Sequence, residues 1–397
     1  MPQEAQRVAV VVAGAGARGG YEAGVLSVLI PRLHDVGVNI SMYVGTSAGA
    51  INATIFAALS HLSPAEQAQR VLDVWRGLKI SDVFESPVIT SPGVALRFFG
   101  QTLRVPGLRL TSLLDTEPLR RKAETAIDWN QLRSNIEDQA WTLAVAATSG
   151  DNSRTVVFVD RSPDAGSLPP SDDSRPIDYV HAEIGPEHVL ASSAIPIAFP
   201  PIQINGAGWY LDGGVRLNAP LKPAISLGAD ALVVVATHPL EEPAPAPQPN
   251  PPPPDVEDVV VQLIDTVLVD RMVEDARTLC KINTLIGPVD AVTRSGRRYE
   301  KKPLLFVGPQ SRATLGQKAI EVFGKQRPHG EVVETLRRYE LRLLGHALSG
   351  DGARRGDLFS YLYFDRDFID ESIALGQQDA KHHFERALPN QVPWTSR

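Results

Sequence analysis

The hydrophobic pattern of the first 240 residues alternates between short apolar runs and longer amphipathic stretches. Residues 8–13 and 231–237 are continuous runs rich in β-branched side chains, which is typical of parallel strands buried on both faces. Residues 21–33 and 64–78 place their apolar side chains at helical spacing. Strands that alternate with helices in this way predict an α/β fold, a three-layer sandwich with a mostly parallel central sheet and additional C-terminal helices.

The remaining segments are assigned by the same patterns and by their turn residues. Residues 162–179 are rich in serine, aspartate and proline, which predicts a loop. The stretch 239–254 contains nine prolines, so it cannot join a sheet. Further strands are expected at 141–148, 155–160, 202–204, 209–211 and 304–307, helices at 48–59, 186–193 and 256–285, and a basic hairpin at 294–302.

These assignments divide the chain into three parts. Residues 7–240 are expected to form the catalytic domain, 241–254 a proline-rich loop, and 255–397 a helical C-terminal extension that completes or covers the core. The apolar segment 81–114 is broken by three prolines and carries three arginines. It fits a lid, a surface that meets a membrane interface, or a loop over the core, and the pattern leaves these alternatives open.

Composition narrows the classes of function and the compartment. The chain has 397 residues and a net charge of −7, from 39 basic and 46 acidic side chains, which argues against a nucleic-acid partner. Its single cysteine, Cys280, precludes an internal disulfide and fits a reducing compartment such as the cytoplasm. No apolar run reaches the roughly 18 residues that span a bilayer. The short apolar start is expected to be the first strand rather than a signal peptide.

The first chemistry-bearing motif is Gly45-Thr46-Ser47-Ala48-Gly49, which lies between a predicted strand and a predicted helix. A serine in this setting forms a nucleophile elbow, where small neighbours allow a strained turn that exposes the hydroxyl above the sheet. The positive end of the following helix lies close to that hydroxyl. Ser47 is therefore the candidate nucleophile, with Gly45 and Gly49 as motif glycines.

A glycine loop follows the first strand and has two interpretations. Its six residues are Gly14, Ala15, Gly16, Ala17, Arg18 and Gly19. The spacing matches a dinucleotide-binding fingerprint, but that function needs an acidic residue at the tip of the second strand, and Ser47 occupies the tip. The alternative is an oxyanion hole, in which consecutive backbone N–H groups converge on one point. Arg18 either adds positive charge there or lies on the surface.

A serine nucleophile needs a base, and two candidates follow strands. His238 comes after residues 231–237 and fits the Ser, Asp, His order of α/β-hydrolases. Asp212 leaves a strand directly into Gly213 and Gly214, and it is the more informative candidate, although an aspartate there also fits a turn cap. A carboxylate with an ordinary pKa near 3.9 is a weak base, so Asp212 must be desolvated or in contact with the hydroxyl to serve.

Together these motifs resemble the patatin-like phospholipase family, over roughly residues 7–240. The residues that carry the resemblance are the glycine loop 14–19, the Gly45–Gly49 pentapeptide and Asp212-Gly213-Gly214; residues 115–119 and 191–196 are similar as well. The resemblance implies a Ser–Asp dyad, with Ser47 as nucleophile, Asp212 as general base and the backbone of residues 14–19 as oxyanion hole. Ala15 replaces a glycine that is frequent in the family, and it still offers an N–H. The resemblance implies no metal or organic cofactor.

The resulting expectation is a serine esterase of lipid metabolism that hydrolyses phospholipids, lysophospholipids or related lipids. Its expected partner is the lipid ester, with no nucleic acid; contact with a membrane surface is left open, as is the oligomeric state. Three alternatives stand beside it. They are a soluble carboxylesterase on the same fold, a nucleotide-binding protein that uses the Gly14–Gly19 loop, and a catalytically silent lipid-binding relative.

Overall fold

The structure is a computed structural model of the 397-residue chain. It describes residues 7–83, 114–139, 141–241 except 197, 205 and 207, 271–286, 291–292, 298–325, and 353–395 except 387, 389 and 390. The predictions made for residues 84–113, 242–270 and 293–297 lie outside the described residues.

A mostly parallel sheet of nine strands forms the middle layer of the described structure. Seven of its strands follow the order β11-β8-β1-β2-β3-β4-β5, and β7 pairs with both β3 and β6. The neighbours are parallel except for the β3–β4, β3–β7 and β6–β7 pairs. The strands are β1 (Val8–Val12), β2 (Ile40–Thr46), β3 (Thr142–Ser149), β4 (Thr155–Arg161), β5 (Ile177–His181), β6 (Ile202–Gln203), β7 (Trp209–Asp212), β8 (Ala231–Val235) and β11 (Leu304–Val307), with β9 (Ala291–Val292) and β10 (Arg298–Tyr299) in a separate hairpin.

Helices cover the two faces of this sheet. The described helices are α1 (Gly19–Asp35), α2 (Ala48–Ala58), α3 (Pro64–Arg76), α4 (Ile80–Val83), α5 (Glu117–Ala126), α6 (Trp129–Gln139), α7 (Pro186–Ser192), α8 (Leu221–Ser226), α9 (Arg271–Leu285), α10 (Ala313–Lys325), α11 (Ala353–Leu362) and α12 (Arg366–Glu385). Among these, no helix combines the length and apolar character needed to cross a membrane.

The side chains of the central strand β1 show why both faces are covered. Val10 and Val12 point into one core, which they share with Leu26 of α1. Ala9 and Val11 point into the opposite core, which contains residues of α8 and α9. Because both faces of this strand are buried, every position favours an apolar side chain, which explains the continuous apolar run in the sequence. The predicted three-layer α/β sandwich is confirmed.

The C-terminal part of the chain is built into the same structure. Strand β11 lies at the edge of the sheet, parallel to β8. Helix α12 packs along α1, where the Tyr21 hydroxyl donates a 2.9 Å hydrogen bond to Asp379. The predicted C-terminal helices are present, and they contribute to the core that supports the first strands.

One prediction about the sheet is wrong. The composition of residues 162–179 predicts a loop, but Ile177–His181 forms strand β5 at the edge of the sheet, parallel to β4. Only Ile177 of this strand is buried, so the segment lacks the apolar run that marks the central strands. Arg154, which directly precedes β4, donates two hydrogen bonds to the Asp178 carboxylate in β5, with N–O distances of 2.7 and 2.9 Å. This contact helps to hold β5 against β4.

Strand β7 occupies the position that matters most for the site. Strand β2 pairs with β3 as far as Thr46, which lies opposite Ala146. Strand β7 runs antiparallel to β3 and pairs Asp212 with Ala147, the next residue along. The end of β2 and the end of β7 therefore meet at one point on β3, although 165 residues separate Ser47 from Asp212.

Candidate active site

Ser47 occupies a strained turn between β2 and α2. Its φ and ψ angles are 55° and −129°, in a region that residues with a side chain seldom adopt. The turn is tight because Gly49 packs directly on the first strand. A methyl group at Gly49 would collide with the carbonyl oxygens of Val12 and Ala13. The geometry is that of a nucleophile elbow, as the sequence predicted.

The side chains of Ser47 and Asp212 are in direct contact. The Ser47 Oγ donates a 2.7 Å hydrogen bond to Asp212 Oδ2. The other carboxylate oxygen, Oδ1, accepts a 2.7 Å hydrogen bond from the backbone N–H of Gly214. Both side chains are buried, with 6% of Ser47 and 2% of Asp212 exposed. One carboxylate oxygen is thus held by the backbone while the other faces the serine hydroxyl.

Burial changes the basicity of Asp212. The loss of solvation raises the pKa of this carboxyl to about 7, even though the hydrogen bonds from Ser47 and Gly214 act in the opposite direction. A carboxylate with a pKa near 7 is a far better proton acceptor at neutral pH than an exposed aspartate. The structure thus combines the two conditions, desolvation and contact, that an aspartate base requires.

Three further hydroxyl and backbone contacts hold the pair in place. The backbone N–H of Ser47 donates a 2.9 Å hydrogen bond to Ser192 Oγ, and that hydroxyl donates to the carbonyl of Ala146 at 2.6 Å. The Thr148 hydroxyl donates to the backbone carbonyl of Asp212 at 2.9 Å. Sequence reasoning did not assign Ser192 this role; its only signal was its place in the stretch 191–196 that resembles the family.

The glycine loop lies beside Ser47 and has part of its backbone committed to internal contacts. A methyl group at Gly14 would lie 3.2 Å from the Ser47 Cβ. The Gly14 N–H donates to the side-chain oxygen of Asn218 at 2.7 Å, and the N–H groups of Arg18 and Gly19 donate to carbonyls within the loop. Within the described part of the chain, the loop's backbone N–H groups that donate no hydrogen bond to another protein group are those of Ala15, Gly16 and Ala17.

Arg18 is fully buried rather than on the surface, which corrects one of the two expectations for it. Its guanidinium forms an ion pair with Asp357, and its Nε donates a 2.6 Å hydrogen bond to Ser360 Oγ. Both partners belong to α11. The side chain of a loop residue is therefore held by a helix more than 300 residues away in sequence.

His238, the alternative base, lies in a different contact network. Its Nε2 is 3.5 Å from Asp357 Oδ2, and burial lowers the pKa of its imidazole. The carboxylate that contacts Ser47 belongs to Asp212, and no described hydrogen bond joins His238 to Ser47. The structure brings the serine and the aspartate together and leaves the histidine outside that pair.

An apolar pocket opens at Ser47. Its lining includes Gly16 of the glycine loop and the side chains of helices α2, α3 and α5. Ser193 and Lys122 are the polar side chains that accompany Ser47 among the described lining residues. The apolar lining residues include Ile51, Ile55, Val74, Trp75, Leu78, Val83, Leu119, Ala123, Ala126, Ile127, Val189, Leu190, Ile195, Phe199 and Phe364. Such a lining suits a hydrocarbon chain better than a polar ligand.

A metal site would need several liganding side chains close together in the described part of the chain. Among them, no group of three histidine, cysteine, aspartate or glutamate residues is placed to hold a metal ion. Cys280 is a partly buried thiol in α9 that packs against the core on the far face of the sheet.

Comparison with solved structures gives remote matches. VipD from Legionella pneumophila is 12% identical, with a TM-score of 0.35, over 92% of this chain and 67% of that chain. Human GIVD cytosolic phospholipase A2 in complex with methyl gamma-linolenyl fluorophosphonate is 13% identical, with a TM-score of 0.35, over 96% of this chain and 59% of that chain. This chain therefore spans about six tenths of the length of the human structure. A comparison with curated proteins gave no match.

The comparison with family models is more informative. The model described as patatin-like phospholipase matches residues 10–225. The match includes the glycine loop, Ser47 and Asp212, and it confirms the resemblance noted from the motifs. Because it spans more than half of the chain, the protein belongs to the patatin-like phospholipase family.

Proposed function

We propose that this protein is a serine lipid acyl hydrolase in which Ser47 and Asp212 form a catalytic dyad. The observation that carries the proposal is the 2.7 Å hydrogen bond from Ser47 Oγ to Asp212 Oδ2, made where the serine lines an apolar pocket. Membership of the family supports a lipid hydrolase, and the contact supplies a nucleophile and a base.

The acylation step follows from this geometry. The Ser47 oxygen attacks the ester carbonyl carbon while Asp212 Oδ2 accepts the hydroxyl proton. The carbonyl oxygen becomes an oxyanion. When the tetrahedral intermediate collapses, the bond to the alcohol oxygen breaks and the proton on Asp212 passes to the departing lipid alcohol. Ser47 is left as an acyl ester, and Asp212 is again a carboxylate.

The glycine loop is the proposed oxyanion hole. The sequence motif suggests all six residues from Gly14 to Gly19 as donors. Because the N–H groups of Gly14, Arg18 and Gly19 already donate hydrogen bonds within the protein, the proposed donors are the N–H groups of residues 15–17. The loop lies next to Ser47, so these donors are close to the carbonyl under attack. In deacylation, water gives a proton to Asp212 and attacks the acyl carbon, and the same donors stabilise the second oxyanion. The bond between the acyl carbon and Ser47 Oγ then breaks, the proton passes from Asp212 to Ser47, and the fatty acid leaves.

The pocket supports a lipid rather than a small polar ester as substrate. An acyl chain in this pocket would replace water along surfaces contributed by α2, α3 and α5. Phospholipids, lysophospholipids and related lipid esters all present such a chain next to the scissile carbonyl. A peripheral contact with a membrane surface belongs to this proposal, because long-chain substrates reside there.

The test is fatty-acid release from phosphatidylcholine vesicles and from a short-chain soluble ester. Ser47→Ala and Asp212→Asn are expected to lower the rate by about 10³-fold or more on both substrates. The matched controls are Ser372→Ala and Asp379→Asn, a buried serine and a buried aspartate of α12, and both should retain the wild-type rate.

The two substrates separate the alternatives. Release from vesicles that exceeds release from the soluble ester supports the lipid hydrolase, whereas activity on the soluble ester alone identifies a carboxylesterase. Residual activity in Asp212→Asn equal to wild type would contradict the dyad. The absence of release from both substrates in the wild-type protein would contradict the enzyme proposal and favour a silent lipid-binding relative.

A further inference from the structure

We propose that Asp357 of helix α11 is a positioning residue for the glycine loop and that it acts through Arg18. The inference rests on the proposed function, because it concerns the oxyanion hole of that reaction. It also goes beyond it, because Asp357 lies outside residues 10–225, the part of the chain that matches the family.

Arg18 is tied to α11 by several contacts that exclude water. Its guanidinium pairs with the Asp357 carboxylate, and its Nη2 also donates a 2.8 Å hydrogen bond to the Asp357 carbonyl. The Nε bonds to Ser360 Oγ at 2.6 Å, and the guanidinium carbon lies 4.2 Å from the centre of the Tyr361 ring. These contacts leave the side chain of Arg18 little freedom, although a surface arginine would sample many rotamers.

The backbone of α11 also approaches the loop directly. Gly16, at the centre of the loop, has a φ of +53°, and a methyl group there would collide with the carbonyl oxygen of Tyr361. Gly16 is one of the residues whose N–H makes no internal contact in the described structure. The helix therefore contacts the loop at the proposed oxyanion donors as well as at the Arg18 side chain.

The surroundings of Asp357 keep its carboxylate charged. Burial opposes ionisation, but Arg18 and His238 outweigh burial and lower the pKa of Asp357 below its usual range. Arg312 adds a contact of 3.4 Å between its Nε and Asp357 Oδ2. The anion that fixes Arg18 thus persists across the pH range in which Asp212 titrates.

The consequence for catalysis follows from the position of the proposed donors directly before Arg18 in the chain. Ala15–Ala17 immediately precede Arg18, so any movement of the arginine moves the N–H groups that face the developing oxyanion. Donors displaced by about 1 Å stabilise the transition state poorly while the acyl pocket still binds substrate. A loss of positioning should therefore lower kcat and leave KM unchanged.

The experiment compares Asp357→Asn, Arg18→Gln and the double variant with the wild-type enzyme on the lipid ester that it hydrolyses. Rates are expressed per active site, counted by titration with a fluorophosphonate, so that unfolded protein does not enter the value. Asp357→Asn is expected to lower kcat by about 100-fold with KM within about twofold of wild type. The double variant should be no slower than Arg18→Gln, because both changes remove the same contact.

Ser360→Ala provides a second, milder test. It removes one hydrogen bond to Arg18 and leaves the buried charges paired, so the protein should fold even if Asp357→Asn does not. We expect kcat to fall by about tenfold with KM unchanged. The control is Asp379→Asn, which removes a buried carboxylate that joins α12 to Tyr21 and should leave kcat at the wild-type value.

The outcomes separate this inference from the proposed function. A wild-type kcat per titrated site in both Asp357→Asn and Ser360→Ala would overturn the positioning role while the dyad stands. Losses that multiply in the double variant would show that Asp357 acts independently of Arg18 and would also overturn it. If Ser47→Ala retains full activity, the proposed function itself fails, which is a different result from either of these.

Discussion

The ionisation of Asp212 has a consequence for stability that can be tested apart from catalysis. Burial raises the pKa of this carboxyl to about 7 in the folded protein, whereas an unfolded chain has an aspartate pKa of about 3.9. The folded state therefore holds the proton more tightly than the unfolded state does. The stability that this protonation supplies is fully present below about pH 4 and is lost as the pH rises through about 7.

The magnitude follows from these two values. Relative to a carboxyl that stays neutral, the ionisation of Asp212 lowers the free energy of unfolding by about 2 kcal/mol at pH 5 and by about 4 kcal/mol at pH 8. Asparagine has nearly the same shape and cannot ionise. Its oxygen can accept the Gly214 N–H, and its amide can donate to Ser47 Oγ, so the hydrogen bonds are kept. Asp212→Asn should thus stabilise the protein by about 2–3 kcal/mol more at pH 8 than at pH 5.

The measurement is urea denaturation of the wild type and Asp212→Asn at both pH values. The difference between the two pH values removes any constant effect of the amide on packing. Ser47→Ala serves as the control because it retains the carboxylate and loses a hydrogen bond that lowers the pKa of Asp212. Its stability should fall between pH 5 and pH 8 at least as much as that of the wild type.

Equal stabilisation by Asp212→Asn at pH 5 and pH 8 would refute the reasoning. It would mean that Asp212 titrates near its ordinary pKa in the folded protein, and that water or a movement of the loop solvates the carboxylate. The proposal that desolvation makes this aspartate an effective base would then have to be abandoned, even if the variant is inactive.

Three further predictions concern activity, substrate choice and folding. With a pKa of about 7, Asp212 is mostly protonated at pH 6 and mostly ionised at pH 8. We therefore expect kcat/KM to rise about tenfold between pH 6 and pH 8 in initial-rate assays, and a flat profile would contradict the proposed base. Ile51→Phe narrows the pocket one helical turn beyond Ser47. We expect kcat/KM for a long-chain ester to fall by about tenfold or more, while a short-chain ester is still cleaved. Equal losses on both esters would contradict the pocket as the acyl site. Gly49→Ala places a methyl group against the backbone of the first strand and should cost about 3 kcal/mol or more in urea denaturation, and a wild-type stability would show that the elbow can relax.

The central strands of the sheet could be predicted because burial on both faces restricts their sequence to apolar residues. Both faces of β1 and β8 are covered by helices, so every position is apolar and the runs are unmistakable. Strand β5 carries no such mark, since it lies at the sheet edge and most of its side chains are partly exposed. Edge strands are held by backbone pairing and by contacts such as Arg154 with Asp178, which no periodicity reveals.

The candidate site was predictable in its residues and not in its geometry. A serine flanked by glycines and an aspartate before two glycines are local patterns, and local patterns can be read from one chain. The contact between them depends on β7 pairing with β3 at the residue after β2 ends, a register that only the folded sheet defines. Ser192 and Asn218 each support the site through one side-chain hydrogen bond to the backbone. A single polar residue forms no recognisable sequence pattern, so neither role could be predicted.

The environment of Arg18 could not be predicted from the sequence either. Its place in the glycine loop was visible, but its environment depends on a helix that follows it by more than 300 residues. A buried guanidinium is tolerated only when its charge is paired, and removing one partner of such a pair typically costs about 3–5 kcal/mol. Here the partner is Asp357, which the described structure places against the loop.

This pairing bears on where the functional unit ends. Residues 7–240 contain Ser47, Asp212 and the glycine loop, and the expected division of the chain makes them a catalytic domain. A fragment limited to these residues would leave Arg18 without Asp357, would uncover the face of α1 that α12 buries, and would remove β11 from the edge of β8. Each of these losses exposes a buried charge, an apolar surface or a row of backbone groups. We therefore infer that Ser47, Asp212, the glycine loop and the C-terminal helices form one cooperative unit, because Arg18 of the loop is paired with Asp357 outside the family match.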